Sequence, residues 1–472
     1  MPATNRQALT EAGPAHSKAL RHQAFKPGVH VIFVATSHFG DIGEERHGAR
    51  IPCDPAAHPF ETGDVLGSLT PDRLQQLEDH LGPGLVSNIG PKEKELHGSC
   101  ELASRIAKRQ KNNSTRIQPE WNERLALLHQ DVVTMLWAER SQRMTIEYRT
   151  LDWAIGLIRK GANGLVDHVS GYSQPVAFYI PLQAKDWTLH PDVRRLYEAI
   201  DGLRALRGDI SVIPSYQESW NYGYGVADVQ ALDSIASDNS TPEPYRWRPI
   251  TCLGFGVCPL AELQGPQYTK FGFGERPDYI HQNPQPAAST HVHSLAEVKE
   301  PGSLRVIHQQ YPSSFSKWGH IRVFMVGNQI VTRGFFSRNQ ETKVYHMSPL
   351  HHECHFDFRA AGLRHPNLNQ KVKEQQKAKL EELDNFCRWW HQQLMKRYPE
   401  LFKSLNVGCV MVIGLSEASL EGKFFVFGVF RWYVARFFSM DLAVKPYDQI
   451  CRAFGEQFAR VHGSFAADDS RN

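Results

Sequence analysis

The chain has 472 residues, of which 41% are hydrophobic and 22% charged. That is the make-up of a folded protein of two to four domains, and it excludes disorder along the whole length. Lys plus Arg total 53 against 50 Asp plus Glu, a formal net charge of +3, which leaves no electrostatic footprint for general nucleic-acid binding.

No run approaches the roughly 18 to 20 consecutive apolar residues that cross a bilayer, so no membrane span is expected. The most hydrophobic stretch, Phe424 to Phe438, is interrupted by Gly428, Arg431 and Arg436. Its rough alternation reads as a buried strand followed by core packing, with the lining of a substrate pocket as the alternative. Residues 1–28 are polar with no apolar h-region, and read as a flexible N-terminal arm of a cytoplasmic protein. The eight cysteines show no C-x-x-C spacing, so reduced, buried thiols are expected in place of a zinc ribbon or a disulfide framework.

In chain order, Val29 to Val34 after Pro27-Gly28 is the first strand, leading into a Gly40-containing loop, as at the start of an α/β domain. From about Thr70 to Leu206 the helical period dominates, as in Pro71 to Leu77 and Trp121 to Leu128. Val176 to Ile180 and Ile210 to Ile213 are short strand candidates within that region. Tyr216 to Ser294 turns to Pro, Gly, Asn, Ser and aromatic residues and reads as loop-rich. Strands follow at Leu304 to Tyr311, Ile321 to Val326 and Gln329 to Phe336, the last two joined by the hairpin signal Gly327-Asn328. Gln370 to Tyr398 is a long amphipathic helix stopping at Pro399, Val407 to Leu415 and Lys423 to Phe430 form another strand pair, and Pro446 to Val461 is a closing helix.

His346, His351, His352, Glu353, Cys354 and His355 form the densest group of potential metal ligands, with His291 and His293 as a strand-spaced pair. His351 and His355 have i, i+4 spacing, which admits either a transition-metal site or a polar histidine-rich loop. No G-x-S-x-G elbow, P-loop or Rossmann glycine motif is present, so hydrolase, P-loop and dinucleotide-dependent functions lack support.

From Tyr268 onward the order of elements resembles the ATP-grasp superfamily. Tyr268-Thr269-Lys270-Phe271-Gly272-Phe273-Gly274 looks like that family's strand lysine and glycine-rich loop, and Val306 to Pro312 like its hinge strand. Gly319 to Val331 resembles its strand with an inward arginine followed by a glycine turn. Gly422 to Val426 falls where its metal-binding strand belongs. The resemblance implies an α/β fold of α+β lobes: an N-terminal α/β and helical domain at 29–215, an ATP-grasp-like domain at 216–465 and a polar tail at 466–472. It implies ATP and magnesium as cofactors, small-molecule carboxylate and amine substrates, and ligation through an acyl phosphate in specialised metabolism. Lys270, Gly272, Gly274, Gln309 and Gln310 would bind the nucleotide, and Arg322 would be catalytic, since positioned cations stabilise the charge of phosphoryl transfer. Read as residues alone, Lys270 also fits a solvated loop lysine, and Arg322 a buried ion pair or an outward-facing charge.

The family's magnesium ligands have no counterpart here. The first strand reads Cys409-Val410-Met411-Val412-Ile413, and the next has Phe427 and Gly428 where Asn and Glu would stand. Hard cations need oxygen ligands, so the alternative expectation is a non-catalytic relative acting as a binding or accessory protein. A relative that recruits acids from elsewhere is the other expectation, with Glu417, Glu421 and Asp441 as the nearby candidates, each of which reads more plainly as a surface residue.

Overall fold

The computed structural model describes residues 28–35, 126–161, 163–182, 192–253, 306–338, 370–434 and 444–463. It also describes 50–52, 76–77, 79–80, 87–88, 260, 267–271, 279–281, 345–349 and 356. The expected arm (except Gly28), the 466–472 tail, the loop after the first strand, Gly254, Gly256, Gly272, Gly274, Asp441 and the histidines at 291, 293, 351, 352 and 355 lie outside the described residues. No helix among the described residues is long and apolar enough to cross a membrane.

The fold is mixed α/β. Strand β1 (Val29–Ala35) is buried along its whole length. Strands β2 (Arg50–Pro52), β3 (Ser87–Asn88) and β4 (Ala126–His129) make a small antiparallel sheet. The helical period expected through Leu128 therefore gives way to strand at Ala126, where pairing with β2 and β3 overrides a local preference. Strands β5 (Met144–Thr150), β6 (Val176–Tyr179) and β7 (Ile210–Ile213) join β1 in a parallel sheet of order β5-β1-β6-β7. One face of it packs on helices Leu151–Arg159, Asn163–Ser170 and Val193–Leu206 through Ile32, Val34, Phe178, Leu165 and Leu196. The other meets helices Gln130–Arg140 and Val444–His462 through Val31, Phe33, Val133, Phe454 and Phe458.

The stretch expected to be loop-rich from Tyr216 instead opens with two helices, Tyr216–Tyr224 and Val226–Ser237. Ser215 caps the first, its hydroxyl accepting from the Glu218 N–H at 3.2 Å, and Gly225 at φ 73° turns the chain into the second.

Strands β8 (Thr251–Cys252), β9 (Gln267–Phe271), β10 (Tyr279–His281) and β11 (Val306–Gln310) form an antiparallel sheet in the order β10-β9-β11-β8. The last sheet has five strands: β12 (His320–Val326), β13 (Gln329–Arg338), β14 (Tyr345–Pro349), β15 (Gly408–Leu415) and β16 (Phe424–Arg431), in the order β14-β13-β12-β15-β16. The β12–β13 hairpin turns at Gly327-Asn328 as expected. Only Gly327 has positive φ, 51°, so the turn is of the II′ kind, with glycine first.

Helix Gln370–Arg397 lies on one face of this sheet. Leu383, Phe386, Trp390 and Leu394 pack on Val323, Met325, Met411, Ile413 and Phe424. Buried Cys252, Cys387, Cys409 and Cys451 are thiols, as the spacing suggested.

Candidate functional site

The opposite face of the five-stranded sheet holds three of the positions singled out from the sequence, Arg322, Val412 and Gly428. Arg322 pairs with Val412 and Val412 with Gly428, so the three stand side by side across β12, β15 and β16. Gly428 and Val426 pair with consecutive residues of β15, which leaves Phe427 as a bulge. The extra residue shifts the alternation. Phe424 and Val426 before it, then Val429 after it, share the helix-side core.

Arg322 is buried, its guanidinium 4.5 Å from the Phe336 ring. Burial pushes its pKa down to about 9, a desolvation effect on the charged form. His320, one strand repeat away, is held well below the ordinary imidazole range by burial and by Arg322, and is neutral at pH 7. Around these two sits an aromatic cluster centred on Phe315, from the short helix Ser313–Lys317. Its ring lies 5.0 Å from Phe427, 5.4 Å from His320, 5.6 Å from Tyr311 and 5.7 Å from Phe425. Gly414 makes room for it, since a Cβ there would come within 2.3 Å of Phe425 and 2.4 Å of Phe315.

Lys270 lies on a strand, β9, opposite Ile307 of β11. Gln309 is buried with its side-chain amide donating to Thr251 Oγ1 at 2.8 Å, and the Gln310 N–H donates to the Ile250 carbonyl at 2.8 Å. Gln309 and Gln310 thus lie in the β10-β9-β11-β8 sheet and Arg322 in the five-stranded sheet, the two strands joined by Tyr311 and the short helix.

The positions that the resemblance sets against the family's metal ligands do not fit magnesium. Val412, Phe427 and Gly428 offer no side-chain oxygen, and β12 to β16 contain no Asp or Glu at all. Glu417 and Glu421 are exposed on the turn between β15 and β16, where Glu417 accepts from Ser419 Oγ at 3.0 Å. Among the described residues no group of three His, Cys, Asp or Glu could hold a metal ion.

Two further polar clusters escaped the sequence reading. Glu147, on β5, accepts from His168 at 3.1 Å, His30 at 3.4 Å, Tyr172 at 2.5 Å and Arg149 at 2.5 Å. Burial opposes its ionisation, yet these donors and the charges of His168 and Arg149 hold it well below the usual carboxylate range. The alternation Met144-Thr145-Ile146-Glu147-Tyr148 was the available signal. The second cluster joins the paired helices to β16. Arg431 is bidentate to Asp228, donates to the Leu401 carbonyl at 2.8 Å and lies 3.7 Å from Glu218. Burial raises the Glu218 pKa even though Arg431 and Ser404 work to lower it. Arg431 itself stays charged, because Asp228 and Glu218 more than offset its desolvation.

No protein-family model matches this sequence, and no curated protein matches it. Solved structures do. D-alanine–D-alanine ligase from Bacillus anthracis, complexed with ATP, aligns over 64% of this chain and 81% of its own, at 12% identity and a TM-score of 0.33. D-cycloserine synthetase DcsG aligns over 68% and 93%, at 12% identity and 0.36. The ATP-grasp ligase PsnB with its minimal precursor aligns over 54% and 69%, at 14% identity and 0.26. With TM-scores below 0.5, none of these likenesses bears on the function of this chain.

Proposed function

We propose that this chain is an ATP-grasp-like protein that works by binding and not by phosphoryl transfer, as an accessory to chemistry on small-molecule carboxylates and amines. One observation supports the reading above the others: in the row Arg322–Val412–Gly428, valine and glycine stand where carboxylates would be needed. Transfer of a phosphoryl group builds charge that a metal ion or fixed cations must neutralise. A buried guanidinium such as that of Arg322 is a poor substitute for two magnesium ions. In this reading Lys270, Gly272, Gly274, Gln309 and Gln310 belong to a lobe that retains the nucleotide-binding layout without a partner lobe able to use it.

The test is thermal melting of the full chain with ATP, with and without magnesium, alongside an ADP-release assay over a panel of carboxylates and amines. A ligand that binds only the folded state raises the melting temperature. The expected result is the same melting temperature with ATP whether or not magnesium is present, and no ADP. Magnesium-dependent ADP release would overturn the reading and restore a carboxylate–amine ligase.

A further inference from the structure

Away from the candidate face, two buried acids share one buried cation. Helices Tyr216–Tyr224 and Val226–Ser237 each carry a carboxylate in the first turn, Glu218 and Asp228, and both meet the guanidinium of Arg431 at the end of β16. The sharing is unequal. Arg431 gives Nη1 and Nη2 to Asp228, while its Nε stands 3.7 Å from Glu218 Oε1 and makes no hydrogen bond. Glu218 Oε1 accepts instead from the Ser404 N–H at 3.1 Å and the Ser404 hydroxyl at 2.5 Å, neutral donors from the Lys403–Asn406 turn. Two ionised carboxylates on a single guanidinium would leave a net negative charge out of water. A carboxyl group so placed takes up a proton instead.

We propose that seating the paired helices loads one proton onto Glu218 and that lifting them releases it, so that a rise in pH loosens both helices from β16 and the Lys403–Asn406 turn. Burial raises the Glu218 pKa by more than Arg431 and Ser404 lower it, in line with the unequal sharing. The other titratable groups facing the cluster are Tyr433 and Tyr197, which feel the Glu218 charge, Cys409, which feels Arg431, and Tyr222, whose ring lies 4.9 Å from the guanidinium. Burial holds Tyr433 and Tyr197 above the ordinary phenol range and pushes the Cys409 thiol up to about 12, so these three keep their protons between pH 5 and 8. Lifting the helices returns Glu218 to water, where it ionises in the ordinary carboxylate range. The seated state therefore binds one more proton, and its equilibrium constant falls by up to about tenfold per pH unit until Glu218 ionises in place.

Hydrogen exchange on the full chain between pH 5 and 8 tests this, with residues 216–237 read against helix Gln370–Arg397 in the same sample so that the intrinsic pH dependence of exchange cancels. Opening of 216–237 relative to that helix is expected to grow with pH, by up to about tenfold per unit. Glu218→Gln keeps the shape of the protonated acid and cannot ionise, so it should abolish the growth. Asp228→Asn leaves the guanidinium to Glu218, which then needs no proton, and should flatten the growth as well. A ratio that does not change with pH in the unaltered chain, the same growth in Glu218→Gln, or a slope undiminished by Asp228→Asn would overturn the proposal. The first of these readouts needs no variant, so it decides even where a substituted chain fails to fold.

Discussion

Replacing Arg431 with methionine removes a fully buried cation from between two carboxylates while keeping much of its stem between Phe402 and Tyr222, whose rings lie 4.5 and 4.9 Å from the guanidinium. Lost are the bidentate pair with Asp228, the hydrogen bond to the Leu401 carbonyl and the attraction to Glu218. What remains is a buried Asp228 with Glu218 nearby and no counter-charge. Breaking one side of a buried pair costs about 3–5 kcal/mol. Urea unfolding followed by circular dichroism should show a loss in that range at pH 7. The loss should shrink toward pH 5. Glu218 already has a raised pKa, and a raised carboxylate pKa means that the folded state binds more protons, so stability falls as pH rises through it. Asp228→Leu combined with Arg431→Met removes the stranded charge, and should recover about 1–2 kcal/mol relative to the single change. A loss below about 1 kcal/mol in the single variant, or a double variant no better than the single one, would refute the view that this buried cluster ties the paired helices to β16.

Three other outcomes are expected. Gly414→Ala drives a methyl group into Phe425 and Phe315 and should cost about 1–3 kcal/mol, read from the urea midpoint. Glu147→Gln should cost about 2–3 kcal/mol at pH 7. Because the native pKa is depressed, the Glu147 contribution is complete above pH 4.5 and declines as pH falls below it, so the two proteins should converge in acid unfolding curves. Val412→Asp with Gly428→Glu places two carboxylates beside Arg322 in the β12–β15–β16 register. It should lower the melting temperature in EDTA and recover part of the loss in magnesium; absence of recovery would show that these positions are not the metal row.

Much of the sheet framework was legible because it is written in local signals. The β12–β13 hairpin follows from two alternating runs around Gly327-Asn328, and helix Gln370–Arg397 from the 3.6-residue spacing of Leu380, Leu383, Phe386, Trp390 and Leu394. Strand β5 was hidden because its polar positions, Thr145, Glu147 and Arg149, are partners in a cluster assembled from His30, His168 and Tyr172, and read locally as helical polarity. The helices after Ser215 carried a readable cap, Ser215 with Glu218 three residues on, masked by the glycine and aromatic content around them. On the candidate face, Arg322 and the absence of acids were visible in the sequence. The aromatic cluster was not, because Phe315, His320, Phe336 and Phe425 meet only through pairing across the sheet and a bulge at Phe427 that no local pattern announces.

Helix Val444–His462 closes the core beneath the very first strand. Gly28 sits so near the end of that helix that a Cβ would come within 2.5 Å of the Gly463 carbonyl, and Gly455 lies against the Thr134 carbonyl of helix Gln130–Arg140 at 2.3 Å on the same measure. Nascent β1 thus leaves the ribosome more than four hundred residues ahead of the helix that covers Val31 and Phe33. At about 5–20 residues per second that interval is on the order of 20–80 s. Once β7 has been made, helix Gln130–Arg140 covers part of this side of the parallel sheet, and the part that helix Val444–His462 covers waits for the end of synthesis. The order of synthesis thus runs against the order of burial.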